Sequence, residues 1–482
     1  MNPSNYYRIL LIALVGNCLG MAAFGQTDFQ VQRLDEIKIS DLGMYFDGSK
    51  VTGGARNSYV DAPGSAYDYA FGSRITPHGD CIEVYGDYVF LTWYRGPETD
   101  RHVMLTRYNR RTGSQATIEF PHRHTGFQNN PNLGESHNTI AVGICEIDQS
   151  IHLLYDMHAY SPSRPSDGSL ANDYFRYQYS IPGTATLPDD AFTLEKFMPK
   201  QLYLRAGENY TELTYPDFFT NSDGELLVVM RQGGHNNGKF QFASYDGEEW
   251  STWRDFNTMG AGRKGYAYNW GLYGDMKVFD GNFHIGFATR YANNSDRYVY
   301  NNGIHYAYST DPRGLSDWFN ADGEPISTPL INPDLIKISE PGDVFDTQDA
   351  NSIRINTSVD WTKTRNSSLH FVSRVRNDQT GEIKDVHTYR GPDETAFTVS
   401  TNFPGGNLYT LGDHVYLVEL VGGRPRIHRA PEGTNNWETV YSTNSGRTFR
   451  HGNVRIDDQQ LFFYLMEQRS GSAQPIYLQI YQ

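Results

Sequence analysis

The chain has 482 residues, of which 38% are hydrophobic and 14% aromatic, and its formal net charge is −15. This composition suffices for a large core, but the length exceeds that of an ordinary single domain unless the chain forms a large all-β assembly. Because phosphate binding requires a basic field, the acidic balance argues against nucleic acid as the main partner. It still allows an acidic polysaccharide to be held by a local cluster of Arg and His side chains.

The first 25 residues have the pattern of a secretory signal. A charged start is followed by an apolar run from Ile9 to Val15 and by small residues up to Gly25. We expect cleavage after Gly25, so that residues 26–482 form the exported protein. The sequence around Cys18 resembles a lipoprotein box only superficially, because Asn17 occupies a position where a small residue is expected. No later segment of the sequence is long and apolar enough to span a bilayer.

Two cysteines, Cys81 and Cys145, remain once the signal is removed. Both lie in apolar, strand-like runs, so two alternatives stay open: one disulfide bridge, or two buried free thiols. The sequence has no CxxC motif and no closely spaced Cys/His framework for zinc.

A hairpin-like unit recurs seven times after an irregular stretch that ends near Gly64 and contains an expected outer strand near residues 41–46. Each unit has a strand, a turn of Gly, Asp, Asn, Gln or Ser, and a second strand of bulky residues. Further strands with Tyr and Ser patterns give about four strands per unit. Seven units of roughly 65 residues predict an all-β fold, a seven-bladed β-propeller over residues 26–482. A large sandwich or a right-handed β-helix stays open as an alternative. The turns lie at Gly86-Asp87, Gln149-Ser150, Asp223-Gly224, Gly281-Asn282, Asn366-Ser367, Gly412-Asp413 and Asp458-Gln459.

Three successive hairpins bring ionisable side chains to the same end of the fold. In a hairpin, residues at equal distances before and after the turn lie opposite each other. Applied to the turns near residues 149, 223 and 281, this rule identifies the residues at the open end of each hairpin. Since the inner strands of neighbouring blades surround one central cleft, we expect the functional site at this end. The residues brought there are Tyr215 with Arg231, His137 with His158, and Tyr273 with Arg290.

These residue types suit an elimination reaction on a uronic acid chain. The planar guanidinium of Arg231 can bind the uronate carboxylate through two hydrogen bonds, which makes the neighbouring C5 proton more acidic. Tyr215 is a candidate base and acid, because a cation across the strands would lower its pKa from about 10. His137 is the alternative base, or a donor to the carboxylate. A purely structural explanation also exists, since Tyr–Arg pairs often only pack and strand-end histidines are often only hydrogen-bonded.

At these positions the chain resembles the β-propeller ulvan lyases of polysaccharide lyase families 24 and 25, within the BNR-repeat group. The resemblance covers most of the mature chain and is strongest from about residue 78 to residue 310. It rests on five segments: Gly134-Glu-Ser-His-Asn-Thr, Ile151-His-Leu-Leu-Tyr-Asp-Met-His-Ala-Tyr, Thr214-Tyr-Pro-Asp-Phe, Val229-Met-Arg-Gln-Gly-Gly-His-Asn-Asn-Gly and Trp270-Gly-Leu-Tyr-Gly-Asp.

The resemblance implies an endolytic lyase that cuts ulvan between sulfated rhamnose and a uronic acid and leaves an unsaturated uronate. It implies that Tyr215 accepts and donates the proton, that Arg231 neutralises the uronate and that His137 contacts it. Further substrate contacts are expected at His158, His235 and Tyr273.

No redox cofactor is expected for such a reaction. The resemblance also implies a structural metal ion, Zn²⁺ or Ca²⁺, but the comparable stretch from Arg290 to His305 has no clear Cys/His set, so the ligands stay undetermined. We expect a secreted monomer that binds an acidic sulfated polysaccharide, with neither nucleic acid nor membrane as a partner. Two other functions stay open: a sialidase-type glycoside hydrolase, for which Glu212 would accompany Tyr215 and Arg231, and a non-catalytic sugar-binding propeller.

Overall fold

The computed structural model of the chain describes residues 31–60, 64–158, 160, 173–345, 350–356 and 359–482. These residues form seven antiparallel sheets, and the inner strand of each sheet contacts the inner strand of the next around a closed ring. The prediction of an all-β, seven-bladed β-propeller is therefore confirmed. The predicted signal segment, residues 1–25, lies outside the described residues, as does Cys18.

The strands follow one another blade by blade, except that the first strand of the chain, β1 (Arg33–Met44), belongs to the last blade. Blade 1 contains β2 (Ile82–Tyr85), β3 (Tyr88–Tyr94), β4 (His102–Asn109) and β5 (Gln115–Arg123). Blade 2 contains β6 (Ile140–Ile144), β7 (Ile151–Tyr155) and β8 (Tyr177–Tyr179). Blade 3 contains β9 (Leu213–Thr220), β10 (Leu226–Gly234), β11 (Asn237–Tyr245) and β12 (Arg254–Asp255).

Blade 4 contains β13 (Trp270–Phe279), β14 (Asn282–Tyr291), β15 (Asn301–Ser309), β16 (Trp318–Asn320), β17 (Pro325–Ile326) and β18 (Lys337–Ser339). Blade 5 contains β19 (Ile353–Ile355), β20 (Asp360–Lys363), β21 (Leu369–Asn377), β22 (Ile383–Arg390) and β23 (Thr398–Ser400). Blade 6 contains β24 (Asn407–Leu411), β25 (His414–Val421), β26 (Arg424–Pro431) and β27 (Glu438–Ser442). Blade 7 contains β28 (Phe449–Asp457), β29 (Gln460–Glu467) and β30 (Ala473–Tyr481), with β1 as its outer strand.

Helical structure is confined to short segments between the strands. The α-helix α1 spans Arg297–Tyr300. The 3₁₀ helices span Gly53–Ser58, Thr184–Thr186, Leu194–Lys196, Ala261–Lys264, Pro333–Ile336, Pro341–Val344 and Ala350–Ser352. None of the helices in the described part of the chain has the length and apolar character needed to cross a membrane.

The ring is closed by pairing the first strand with the last one. β1 runs antiparallel to β30, and beyond the two strands Gln32 and Gln482 exchange backbone hydrogen bonds of 2.8 and 3.0 Å. The outer strand expected near residues 41–46 is present, but it begins earlier, at Arg33, because the whole segment pairs with β30.

The seven predicted turns each join the inner strand of a blade to the strand beside it, so they share one end of the propeller. The left-handed backbone conformation that such tight turns need is supplied by glycine in several of them, for example by Gly86 and Gly224 with φ values of 57° and 78°. In the turn of blade 7, Asp458 and Gln459 adopt positive φ instead.

The hydrophobic core lies between the faces of neighbouring blades. Trp361 of blade 5 is fully buried against blade 4, where a Cβ atom on Gly286 would come within 2.6 Å of its indole. Only glycine therefore permits this approach. Cys81 and Cys145 are buried in such inter-blade clusters as free thiols, which confirms the second of the two cysteine alternatives.

The Tyr and Ser patterns noted in the sequence have a repeated structural role in blades 2, 4 and 5. A buried histidine on the strand next to the inner strand bonds through Nδ1 to a Tyr hydroxyl or His nitrogen on the following strand, at 2.6 to 3.0 Å, and stacks beside a further Tyr. These histidines are thus structural rather than catalytic. The three sets are His152 with Tyr177 and Tyr179, His284 with Tyr306 and Tyr308, and His370 with His387 and Tyr389.

Candidate active site

The residues predicted for the site lie at the end of the propeller opposite the hairpin turns. A central cavity of about 1010 Å³ runs between the inner strands, and His137, Tyr215 and Tyr273 line it at this end. His137 precedes β6, and His158 follows β7, where its backbone forms a bridge with Thr214 of β9. The prediction that successive hairpins bring these side chains together is confirmed.

A bulge in β9 sets the direction of the Tyr215 side chain. Tyr215 has a φ of 56°, in the left-handed region that residues other than glycine seldom adopt. The ladder changes register there: Val229 lies opposite Asp217, whereas Arg231 lies opposite Thr214. The expected pairing of Tyr215 with Arg231 is therefore wrong by one residue, because the bulge inserts an extra residue in β9. The two side chains nevertheless meet, with the guanidinium carbon 5.1 Å from the ring centroid.

Arg231 is a buried cation that has no anionic partner among the residues that the structure describes. It is only 4% exposed, and its Nε and Nη1 atoms have no hydrogen-bond acceptor among the described residues. Its guanidinium carbon lies 5.1 Å from the ring centroid of Tyr215 and 4.7 Å from that of Tyr273. These contacts with two π faces stabilise the cation but do not replace hydrogen bonds. Two donors are therefore left without a partner among the described residues, beside Tyr215 and Tyr273, which line the cavity.

Glu135, which the sequence interpretation did not assign, joins the two histidines. It is fully buried, and one carboxylate oxygen lies 2.8 Å from Nδ1 of His137 while the other lies 3.1 Å from Nδ1 of His158. The first oxygen also accepts the backbone N–H of His137 at 3.0 Å. Such a local bond from residue i+2 is typical of an acidic side chain that begins a turn, and this spacing in Gly134-Glu-Ser-His is the signal that would have identified it.

The charge state of Glu135 determines which tautomers the histidines adopt. Burial alone would raise its pKa, but the charges and hydrogen bonds of His158 and His137 lower that pKa to about 2. An ionised carboxylate only accepts hydrogen bonds, so both Nδ1 atoms carry hydrogen. Burial lowers the pKa of His158, and the nearby His137 and Arg231 lower it further despite Glu135. A neutral imidazole in this arrangement has its lone pair on Nε2, where it can act as a base.

The rings of the site are in mutual contact. The ring centroids of His137 and His158 are 4.3 Å apart, and the centroid of Tyr215 is 5.5 Å from that of His137 and 6.3 Å from that of His158. Phe71 covers the far side of His137 at 4.7 Å. His137 and Tyr215, the two candidates for proton transfer, thus lie side by side.

Tyr215 is less acidic than the sequence interpretation expected. Burial raises the pKa of Tyr215 to about 12, although Arg231 acts in the opposite direction. The expectation that Arg231 lowers this pKa below 10 is therefore wrong, because removal from water disfavours the phenolate more than the cation favours it. At neutral pH the hydroxyl is protonated, which suits a proton donor.

Two further predicted residues, Tyr273 and His235, lie at the edge of the site. Tyr273 pairs with Ala288 and Arg290 with Gly271, so Tyr273 and Arg290 are not opposite each other, but the guanidinium carbon of Arg290 is only 4.0 Å from the Tyr273 centroid. His235 is exposed at the end of β10. Burial lowers the pKa of His235, and the neighbouring Arg290 and Arg231 lower it further.

The described residues do not fit the structural metal ion that the sequence resemblance implies. His305 is fully buried, yet both of its ring nitrogens lack a hydrogen-bond partner in the described part of the chain, and it belongs to no group of three or more His, Cys or acidic residues there that could hold an ion. Among the described residues, only Glu135, His137 and His158 are grouped closely enough for metal ligation. Their short contacts are hydrogen bonds between a carboxylate and two imidazoles. The metal ion stays a prediction without assigned ligands.

Fold and site together define a β-propeller of the BNR-repeat class, and residues 88–402 match the model of the "BNR repeat-containing family member" family. The chain is 46% identical over 476 residues to the long isoform of ulvan lyase from Pseudoalteromonas sp. (strain PLSV), which covers 94% of this chain and 47% of that protein. It is 43% identical over 472 residues to the short isoform from Alteromonas sp. (strain LOR), covering 92% and 89%. It therefore spans about half the length of its long-isoform relatives.

The solved structures agree with this relationship. The crystal structure of the polysaccharide lyase Uly1 matches with a TM-score of 0.89 and 40% identity, over 94% of this chain and 99% of that one. The chain belongs to the ulvan lyase family of BNR-repeat β-propellers.

Proposed function

We propose that this protein is an exported, endolytic ulvan lyase that cleaves the bond between sulfated rhamnose and a uronic acid by β-elimination. The observation that carries the proposal is the buried guanidinium of Arg231, whose Nε and Nη1 lack acceptors among the described residues. A uronate carboxylate is planar and matches the guanidinium fork with two parallel hydrogen bonds. This contact would neutralise the carboxylate and make the C5 proton more acidic.

In the proposed reaction, Nε2 of His137 takes the C5 proton. The electrons of the C5–H bond form the C4–C5 double bond, the C4–O bond breaks, and the departing oxygen takes the hydroxyl proton of Tyr215. His137 then carries one proton more and Tyr215 one fewer. Transfer of that proton between their rings, whose centroids are 5.5 Å apart, restores the starting state.

This division of roles follows from electrostatics. Tyr215 has a pKa of about 12, raised by burial, so it holds its proton at neutral pH. His137 donates through Nδ1 to the ionised Glu135, which leaves the Nε2 lone pair for the substrate. His158, His235 and Tyr273 would then contact the sugar without exchanging protons with it.

The experiment that tests the proposal is to mix the purified chain with ulvan and, separately, with other acidic polysaccharides, and to follow ultraviolet absorbance and new reducing ends. Absorbance that rises with ulvan shows the unsaturated uronate of an elimination. New reducing ends without absorbance would indicate a hydrolase, and neither signal would indicate a sugar-binding propeller. Export is tested separately, because amino-terminal sequencing of the mature protein should begin at Gln26.

A further inference from the structure

Arg290 is a second arginine beside Tyr273, a residue that lines the cavity, and its backbone pairs with a strand on each side. It lies in β14, paired with Gly271 of β13 on one side and with Asn301 of β15 on the other. A Cβ atom on Gly271 would come within 2.6 Å of the carbonyl oxygen of His235, so the turn after β10 packs directly against this point. The position of Arg290 is therefore set by β13 and β15 of its own blade and by the turn after β10 of blade 3.

The Arg290 side chain shares an aromatic ring with Arg231. Its guanidinium carbon is 4.0 Å from the Tyr273 centroid, and that of Arg231 is 4.7 Å from the same centroid. Within the described ranges, no carboxylate lies within 4.0 Å of either guanidinium, although many other arginines of this acidic chain are paired with one. Two unpaired cations beside one neutral ring repel each other, so the arrangement is suited to a ligand with two anionic groups.

The two arginines differ in their access to water. Arg231 is buried, whereas Arg290 is half-buried at the edge. A carboxylate that must lose its hydration fits the first position. The second suits an anion that keeps part of its hydration shell and offers several acceptor oxygens, as a sulfate ester does.

We propose that Arg290 binds the sulfate ester of the sugar next to the uronate, so that Arg231, Tyr273 and Arg290 together recognise a uronate and a neighbouring sulfate. The inference rests on the proposed function, in which ulvan supplies both groups on adjacent sugars. Arg290 is thus a specificity-determining residue for sulfation, and it takes no part in proton transfer.

The test compares two proteins on two polymers. Wild type and Arg290→Gln are each assayed on ulvan and on chemically desulfated ulvan, for kcat/KM from the ultraviolet signal and for Kd from calorimetry. We expect desulfation to weaken wild-type binding and kcat/KM about tenfold. Arg290→Gln should show the same loss on ulvan and match wild type on the desulfated polymer.

The control is Arg365→Gln, which removes an exposed arginine at the turn between β20 and β21, at the opposite end of the propeller. It should behave as wild type on both polymers. Equal losses for Arg290→Gln on the two polymers, or no loss on ulvan, would overturn the assignment. If wild type forms no unsaturated uronate, the proposed function fails. The Kd values alone then still decide whether Arg290 binds the sulfate.

Discussion

Nδ1 of His137 donates a hydrogen bond to the carboxylate of Glu135 at 2.8 Å, and the same carboxylate accepts a second one from His158 at 3.1 Å. One buried anion thereby orients two imidazoles, and its pKa of about 2 keeps it ionised throughout the neutral range. Glu135 is therefore a positioning residue, because it acts on the substrate only through the tautomers of the histidines.

Replacing Glu135 by Gln should lower kcat about 10²- to 10³-fold while Kd for ulvan changes little. The neutral Gln no longer stabilises the positive charge that His137 gains when its Nε2 takes the proton. Its amide nitrogen also donates rather than accepts, so the imidazole that faces it must move its hydrogen to Nε2. The pH profile of kcat should change shape as well. The control is Glu225→Gln, which alters a buried carboxylate bound by Arg313 at the opposite end, and which should reduce stability but not kcat. An Glu135→Gln enzyme with unchanged kcat and pH profile would refute the role.

Tyr215→Phe should fold and bind ulvan but lose about 10³-fold in kcat, because the departing oxygen no longer receives a proton. The variant Tyr273→Phe is the matched control. It keeps the ring that supports the two guanidinium groups, so most of the activity should remain. Rates from the ultraviolet signal and Kd from calorimetry separate the two effects. Full activity of Tyr215→Phe would exclude it as the acid.

Arg231→Met should abolish elimination and at the same time stabilise the free protein by about 1 to 2 kcal/mol, since it removes a buried charge with unpaired donors. The measurement is denaturant unfolding without substrate. Arg107→Met provides the contrast, because buried Arg107 bonds to Asp189 at 2.8 Å and its removal leaves that carboxylate unpaired. Both variants losing stability would show that Arg231 has a structural role.

Asp217→Asn should make folding stability less dependent on pH. Burial, with a contribution from Asp275, raises the pKa of Asp217 from 3.8 to about 7. Because the folded pKa lies above the unfolded one, wild type loses stability as pH rises from about 4 to 7. The side chain faces the cavity, so the expected loss is about 2 kcal/mol, less than complete burial would give. The measurement is the unfolding free energy of wild type, of Asp217→Asn and of the exposed control Asp190→Asn at pH 5 and pH 8. If the unfolding free energies of wild type and Asp217→Asn change equally between the two pH values, the raised pKa of Asp217 is contradicted.

The sequence was sufficient to predict the architecture because each blade begins with a hairpin whose turn residues are locally determined. Counting back from the turns at residues 149 and 223 also brought His137, His158, Tyr215 and Arg231 to one end. The count failed by one residue at Tyr215, because it assumes a regular ladder and β9 has a bulge there. Pro216, directly after Tyr215, is the local marker of this bulge, since proline within a sheet is confined to edges and bulges.

Two features of the site depend on burial and could not be obtained from the sequence: the raised pKa of Tyr215 and the missing acceptor of Arg231. The pKa of Tyr215 rises because the ring is enclosed, and the number of enclosing groups is a property of the assembled blades. Glu135 was missed although its spacing to His137 in Gly134-Glu-Ser-His indicates a local hydrogen bond, whereas its contact with His158 became evident only in the fold. Arg231 was correctly placed, but its lack of an acceptor became evident only in three dimensions.

The pairing of β1 with β30 has a consequence for synthesis. Residues 33–44 leave the ribosome early, but the strand that they pair with comprises residues 473–481. Throughout translation of the intervening six blades, β1 stays a strand edge with unpaired backbone groups, which is a template for pairing with other nascent chains. The yield of correctly closed propeller should therefore depend on how quickly the last blade is translated and on whether β1 is kept from pairing with other chains until then.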